Sequence, residues 1–109
     1  MPSVEELVLT NVDTSHMTTM EYMFSGARNL KSLDLSSFDT SHVTDMSDMF
    51  NNTKALSELD LSSFDMSNVT DTGGMFSNTT ATVGYAKDQE TADLFNNIAP
   101  STLRFQVKN

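Results

Sequence analysis

Carboxylates and hydroxyls recur in this chain at fixed intervals, and any chemistry has to reside in those columns. Asp13, Asp39 and Asp65 form one column, each followed two residues later by Ser15, Ser41 or Ser67. Oxygen ligands of this kind suit a hard cation such as Ca²⁺. The spacing of an EF-hand loop or a nonapeptide calcium repeat is absent, however. Asp and Ser just ahead of a helix also cap its first N–H groups, at about 1 kcal/mol per cap. His16 and His42 each stand three residues after an aspartate of that column. A zinc site takes three or four convergent ligands, and the third copy offers Asn68, so a solvated or turn-bonded histidine is expected. Two equivalent histidines, no cysteine and no Gly-flanked serine cannot make a nucleophilic triad. Gly73-Gly74 lacks the lysine that follows in a phosphate loop. The residues imply binding without catalysis: no catalytic residue, metal or cofactor is expected.

The columns exist because the chain repeats. Leu33-Asp34-Leu35-Ser36-Ser37-Phe38-Asp39 recurs unchanged as Leu59-Asp60-Leu61-Ser62-Ser63-Phe64-Asp65, 26 residues later, and Leu7 to Asp13 is a degenerate earlier copy. Such an interval implies stacked turns of backbone, each covering the apolar face of the next. In register the repeats run 7–32, 33–58 and 59–84, with a C-terminal cap over 85–109, all within one domain. The apolar columns are Val4/Leu30/Leu56, Leu9/Leu35/Leu61, Val12/Phe38/Phe64, Met17/Val43/Val69, Met23/Met49/Met75 and Phe24/Phe50/Phe76. Methionines 20, 23, 46, 49 and 75 fall in core positions, where the flexible thioether fills irregular gaps.

Leu33 and Leu35 alternate with polar neighbours, the period of a strand with one buried face. Val43, Met46, Met49 and Phe50 follow at spacings of three and four, which predict a short helix. Each repeat therefore reads as strand, turn, short helix and loop, with parallel strands. Thr72-Gly73-Gly74 stands where repeat two has Met46-Ser47-Asp48, and two glycines weaken a helix by about 1 kcal/mol each. Repeat three is expected to loosen there. Thr82 likewise replaces the leucines of Leu30 and Leu56. Beyond it, Val83 and Tyr85 alternate as a strand. Asp88 caps a helix over 89–98 with Ala92, Phe95, Ile98 and Leu94 on its apolar side, Pro100 stops it, and Thr102 to Val107 makes a final strand. The first strand, Val4 to Thr10, has an unpaired edge, which suggests an upstream module or repeat in the natural chain.

The outward strand residues form the candidate binding surface: Glu6, Val8 and Thr10, then Ser32, Asp34 and Ser36, then Glu58, Asp60 and Ser62. They make an acidic, hydroxyl-bearing platform for a basic protein or a glycan. The ordinary alternative is a solvated sheet face. Parallel neighbours lie about 4.8 Å apart, so Asp34 over Asp60 is repulsive. That favours a partner or cation, although solvent screens such pairs.

Composition narrows the partners. Six basic against fifteen acidic side chains give a formal charge of −9, a field that disfavours nucleic acid and anionic lipid. No cysteine is present, so there are no disulfides. Met1 to Glu6 has no signal-peptide pattern, and no apolar run suits direct membrane insertion. Work outside the cell would then imply a module of a longer chain with further domains, or export in company.

The run Leu33 to Phe50, Leu-Asp-Leu-Ser-Ser-Phe-Asp-Thr-Ser-His-Val-Thr-Asp-Met-Ser-Asp-Met-Phe, resembles the BspA-like leucine-rich repeat, also known as a surface-protein repeat of unknown function in Gram-positive bacteria and mycoplasmas. The likeness covers Val4 to about Thr80, and Gly84 to Lys87 with Glu90 to Asn96 resembles the family's closing segment. Val12, where the pattern has Phe, and Thr72-Gly73-Gly74 depart from it. The resemblance implies an extracellular, cell-wall or cell-surface protein whose repeats serve adhesion to host or matrix proteins, and it carries no catalytic residues. The expected fold is α/β: a short leucine-rich-repeat-like solenoid with a parallel sheet on one side, short helices on the other and a strand-helix-strand cap. A parallel β-helix with little helix is the alternative. The expected function is binding or adhesion through the strand face, or else service as a structural spacer.

Overall fold

Where leucines alternate with polar residues, the chain forms short strands. The computed structural model describes residues 4–9 and 11–108. Within them, β1 (Glu6–Val8), β2 (Ser32–Asp34) and β3 (Glu58–Asp60) are the three repeat strands. They are followed by β4 (Val83–Ala86), the helix α1 (Gln89–Ile98) and β5 (Arg104–Val107). The architecture is a small α/β fold with two parallel sheets, β1-β2 and β3-β4-β5, and one helix. Glu6, Leu7 and Val8 pair with Ser32, Leu33 and Asp34, the 26-residue register of the sequence.

The sequence also predicts a short helix in each repeat, and here the structure differs. Residues 21–26 and 47–52 form successive turns. Their N–H groups take two alternating partners. Met23 and Ser25 donate to carbonyls three residues back, while Met20, Tyr22, Phe24 and Gly26 donate to Asp45, Ser47, Met49 and Asn51 of the next repeat at 2.8–3.1 Å. The second repeat does the same: Met46, Asp48, Phe50 and Asn52 donate to Asp71, Gly73, Met75 and Ser77. A helix would need those N–H groups for its own fourth-preceding carbonyls. The backbone is also turned left-handed at Tyr22, Asp48 and Gly74 and again at Gly26, Asn52 and Asn78, two columns at the repeat interval. A helix of L-residues cannot pass such points.

Gly74 therefore does not loosen repeat three. It has φ +69° where Tyr22 and Asp48 are held at 61° and 57°, and glycine takes that conformation without steric cost. A β-carbon there would also overlap the Asp48 carboxylate.

The core is built in rows. Phe24 stacks on Phe50 at 5.7 Å and Phe50 on Phe76 at 6.0 Å, and Phe38 lies over Phe64 at 6.3 Å with the rings 3° from parallel. Leu35 and Leu61 are buried, and Leu9, in the outermost repeat, packs half-exposed against the same core. Val12 is exposed, since the phenylalanine row ends before it. A row of buried hydroxyls runs beside the rings. Thr14 Oγ1 donates to Asp39 O at 3.0 Å and accepts from Asp39 N–H at 2.9 Å, and Thr40 repeats both bonds with Asp65 at 2.8 Å. The third position of that row is Met66, also buried.

Repeat three is one residue shorter than the sequence register suggests. β4 pairs with β3 as Glu58 with Val83, Leu59 with Gly84 and Asp60 with Tyr85. Ala81, Gly84 and Ala86 are buried in consequence, while Thr82 and Val83 are exposed. The expected alternation of Val83 and Tyr85 is present, but it faces outward. Gly84 is small because the Phe105 ring of β5 fills its inward space, and a β-carbon there would overlap that ring. Phe105 lies 5.2 Å from Phe76 and 4.8 Å from Phe95 of α1, which closes the aromatic row.

The cap follows the sequence. Asp88 is the N-cap of α1 and accepts from Thr91 N–H at 2.9 Å. Ala92 and Phe95 are buried, but Leu94 is 40% exposed and lies off the packed face. Asn96 donates to Phe105 O and accepts from Phe105 N–H, covering the outer edge of β5. Arg104 donates to the carbonyls of Asn96, Ala99 and Pro100, at the helix end where a cation is favoured. β1 is paired on one side only among the described residues.

Replacing Phe50 by Ala is expected to cost about 3–5 kcal/mol in chemical denaturation, as for other buried aromatics. Gly84→Ala, a single added carbon, is expected to cost about 1–3 kcal/mol through overpacking against Phe105. Wild-type stability in the Gly84→Ala protein would contradict the cap packing.

Candidate functional site

Neighbouring strands of like sequence, Ser32-Leu33-Asp34 and Glu58-Leu59-Asp60, would be expected to pair, yet β2 and β3 lie in different sheets. The repeats remain joined away from the strands. Asp45 and Asp71 bridge in parallel, and Ser63 Oγ donates to Leu35 O at 2.9 Å. The result is a hollow of about 380 Å³ between the two strands, with Asp34, Ser36, Glu58, Asp60, Ser62 and Lys108 in its lining. A second hollow of about 490 Å³ continues across β4 and β5, lined by Glu58, Asp60, Tyr85, Gln106, Val107 and Lys108. The two share Glu58, Asp60 and Lys108, so one polar trough runs along the outward strand face with the Lys108–Asp60 pair across its middle.

Five of the nine residues predicted for the strand-face surface, Asp34, Ser36, Glu58, Asp60 and Ser62, are brought together here. Glu6 and Ser32 are exposed beside each other at the outer strands, and Val8, 53% exposed, neighbours Asp34 in register. Thr10 lies outside the described residues. Tyr85, Gln106 and Lys108 were not singled out from the sequence. Their signal was the alternation Val83/Tyr85 and Arg104/Gln106/Lys108, which gives these residues one outward face once β4 and β5 are placed side by side.

Local turns fix the two aspartates. Asp34 Oδ1 accepts from the backbone N–H of Ser36 at 3.0 Å and from its hydroxyl at 2.7 Å. Asp60 Oδ1 accepts the same pair from Ser62 at 3.0 and 2.6 Å. A carboxylate bonded this way stabilises a turn and keeps its second oxygen turned away from the turn. On Asp60 that second oxygen, Oδ2, receives the Lys108 ammonium. The same ammonium lies 5.9 Å from the centre of the Tyr85 ring, within cation–π range.

The titration behaviour follows from these contacts. The Ser36 hydroxyl, then its N–H, holds Asp34 below the usual carboxylate value, while the Asp60 charge opposes them. Partial burial is the largest influence on Asp60 and pushes it up, but the bonds from Lys108 and Ser62 outweigh it and leave it lowered. The Asp60 carboxylate in turn raises Lys108.

The other carboxylate columns serve similar turns. Asp13, Asp39, Asp45, Asp65 and Asp71 each accept from the backbone N–H two residues on, at 2.8–3.0 Å. They satisfy orphan N–H groups as expected of capping residues, although turns and not helices follow them. His42 Nδ1 meets Ser15 O at 3.0 Å, and Asn68 Nδ2 donates to the equivalent Ser41 O at 2.7 Å, so both tie one repeat to the one before. Among the described residues no three metal-ligating side chains converge.

A protein-family model described as "Mycoplasma protein of unknown function, DUF285" matches residues 3–99. No curated protein and no solved structure matches the chain.

Asp13, Asp34, Asp39, Asp45 and Asp65 are all lowered from an ordinary value of 3.8, chiefly by the hydroxyl two residues on. Lowered carboxylates stabilise the fold above their unfolded value, and that stabilisation is lost as pH falls through the lower folded values. Thermal unfolding is therefore expected to be independent of these groups above about pH 5 and to shift to lower temperature below about pH 4. A melting temperature that holds level into stronger acid would contradict the turn assignment.

Proposed function

The chain belongs to this family of mycoplasma proteins of unknown function, and on that premise we propose that it is a non-enzymatic binding or adhesion module of a bacterial cell-surface protein. It recognises a host or matrix protein or a glycan through the strand face. The fold is a short solenoid of leucine-rich, BspA-like type with three repeats and a C-terminal cap. It works outside the cell at the wall or surface, flanked by further domains. The repeat-to-repeat hydrogen bonds support the solenoid reading, because each donor–acceptor pair recurs one repeat later.

The observation that carries the binding reading is the trough itself. It lies on the outward face, is walled by side chains that can donate and accept hydrogen bonds, and opens between two strands whose sequences are suited to pair. A spacer that only holds another domain away from the wall has no use for such an opening.

Reversing charge with Asp34→Lys plus Asp60→Lys is the direct test, with circular dichroism and melting as the check on folding. Adhesion of protein-coated beads to host cells or matrix is expected to fall about tenfold or more, as when complementary charges are reversed at an interface. Unchanged adhesion by a folded double variant would leave the spacer in place of the binding module. Asp34→Asn plus Asp60→Asn, which keeps an oxygen for each serine turn, replaces it if the reversal unfolds the protein.

A further inference from the structure

The hydrogen bonds between repeats run one way along the turns, so the two ends of the stack are chemically different. Asp45, Ser47, Met49 and Asn51 O accept from Met20, Tyr22, Phe24 and Gly26 N–H of the preceding repeat. Their counterparts in repeat one are Thr19, Glu21, Met23 and Ser25 O, and none of these accepts a hydrogen bond from the described residues. Every N–H from Met20 to Ala27 is already engaged, Glu21 with Thr19 Oγ1 and the others with backbone carbonyls. Along its turns this end therefore offers acceptors and no donors. We propose that it seats one more repeat of the same 26-residue type, carried by the same polypeptide ahead of β1, whose turn N–H groups donate to those four carbonyls.

Further features of this end fit a repeat. The Asp13 N–H and carbonyl have no partner among the described residues, whereas the same groups of Asp39 and Asp65 are taken by Thr14 and Thr40 of the preceding repeat. The apolar columns are open as well. Leu9, Met17 and Met23 are half-buried and Val12 is 39% exposed, where Leu35, Val43, Met49 and Phe38 are buried. β1 keeps a free edge among the described residues, the kind of edge that pairs with a further strand. Glu5, just ahead of it, stands at the repeat position of Lys31 and Ser57, so a preceding repeat connects there without a linker. A second copy of this chain docked end to end fails on polarity, because a two-fold interface sets the same patch against itself, carbonyl row against carbonyl row. The inference rests on the solenoid reading of the fold and not on the strand-face trough, so its failure leaves the adhesion test untouched.

The test inserts a second copy of residues 33–58 between Glu6 and Leu7 of the full chain, which keeps the register and places the copy ahead of repeat one. The denaturant m-value scales with the surface buried on folding, and is expected to rise by about a quarter for 26 residues added to 109. The melting temperature is expected to rise with it. Hydrogen-bond scalar couplings are expected from the copy's Phe50 N to Met23 C′ and from its Asp48 N to Glu21 C′. Val12→Asp is expected to leave the three-repeat chain unchanged, as an exposed substitution. In the four-repeat chain the ring of the copy's Phe38 lies over that position, and the same change is expected to remove the gain. Val8→Thr, on the outward side of β1, is expected to change neither chain.

An insert that stays unfolded ahead of an unchanged native core, lowers the melting temperature or prevents folding would overturn the proposal. Equal effects of Val12→Asp in the two chains would do the same, since the copy would then fold without resting on repeat one. Sedimentation of the unextended chain is expected to show a monomer. A dimer abolished by Val12→Asp would overturn the proposal in favour of a second copy on this end.

Discussion

Repeats one and two each leave a set of backbone N–H groups that are not satisfied inside them, and the next repeat supplies the acceptors. Phe24 donates to Met49 O, and Phe50 to Met75 O. Buried N–H groups without partners are costly, so this constraint fixes the interval between repeats more tightly than apolar contact could. The phenylalanine rows and the threonine pairs at Asp39 and Asp65 then follow from translation by one interval. The stack ends where translation ends. Met66 stands in the threonine row where no further aspartate follows, and Phe105 and Phe95 turn the aromatic row into a closed cluster.

The same constraint explains what could and could not be read from sequence. The 26-residue register, the parallel strands and the helix capped by Asp88 were legible because each rests on a local or repeated pattern. The short helices were not correct, because inward positions at spacings of three and four arise equally from a series of turns. What separates the two cases is backbone handedness at Tyr22, Asp48 and Gly74. Tyr22 gives no warning of that conformation, whereas Asp48 and Gly74, and the second column Gly26, Asn52 and Asn78, are residue types that tolerate it. The shortened third repeat was hidden as well. Its evidence lies in Gly84, whose meaning depends on Phe105 about twenty residues downstream.

The candidate site was half legible for a related reason. Repeat columns identify outward residues such as Asp34 and Asp60, because columns are local. They do not identify Tyr85, Gln106 and Lys108, which enter the surface only when the cap adds two strands to β3. Nor do they reveal that β2 and β3 part. Repulsion between the aspartates was foreseeable from their register, and it acts where the sheet opens. The turns that orient these carboxylates also hold them ionised, so the geometry of the repeat and the electrostatics of the trough have one origin.

The most direct measurement is of hydrogen-bond scalar couplings between backbone ¹⁵N and ¹³C′ nuclei in solution. The account predicts couplings from Phe24 N to Met49 C′ and from Phe50 N to Met75 C′, the bonds that run between repeats. Couplings from the same nitrogens to Met20 C′ and Met46 C′, four residues back as in an α-helix, would contradict it.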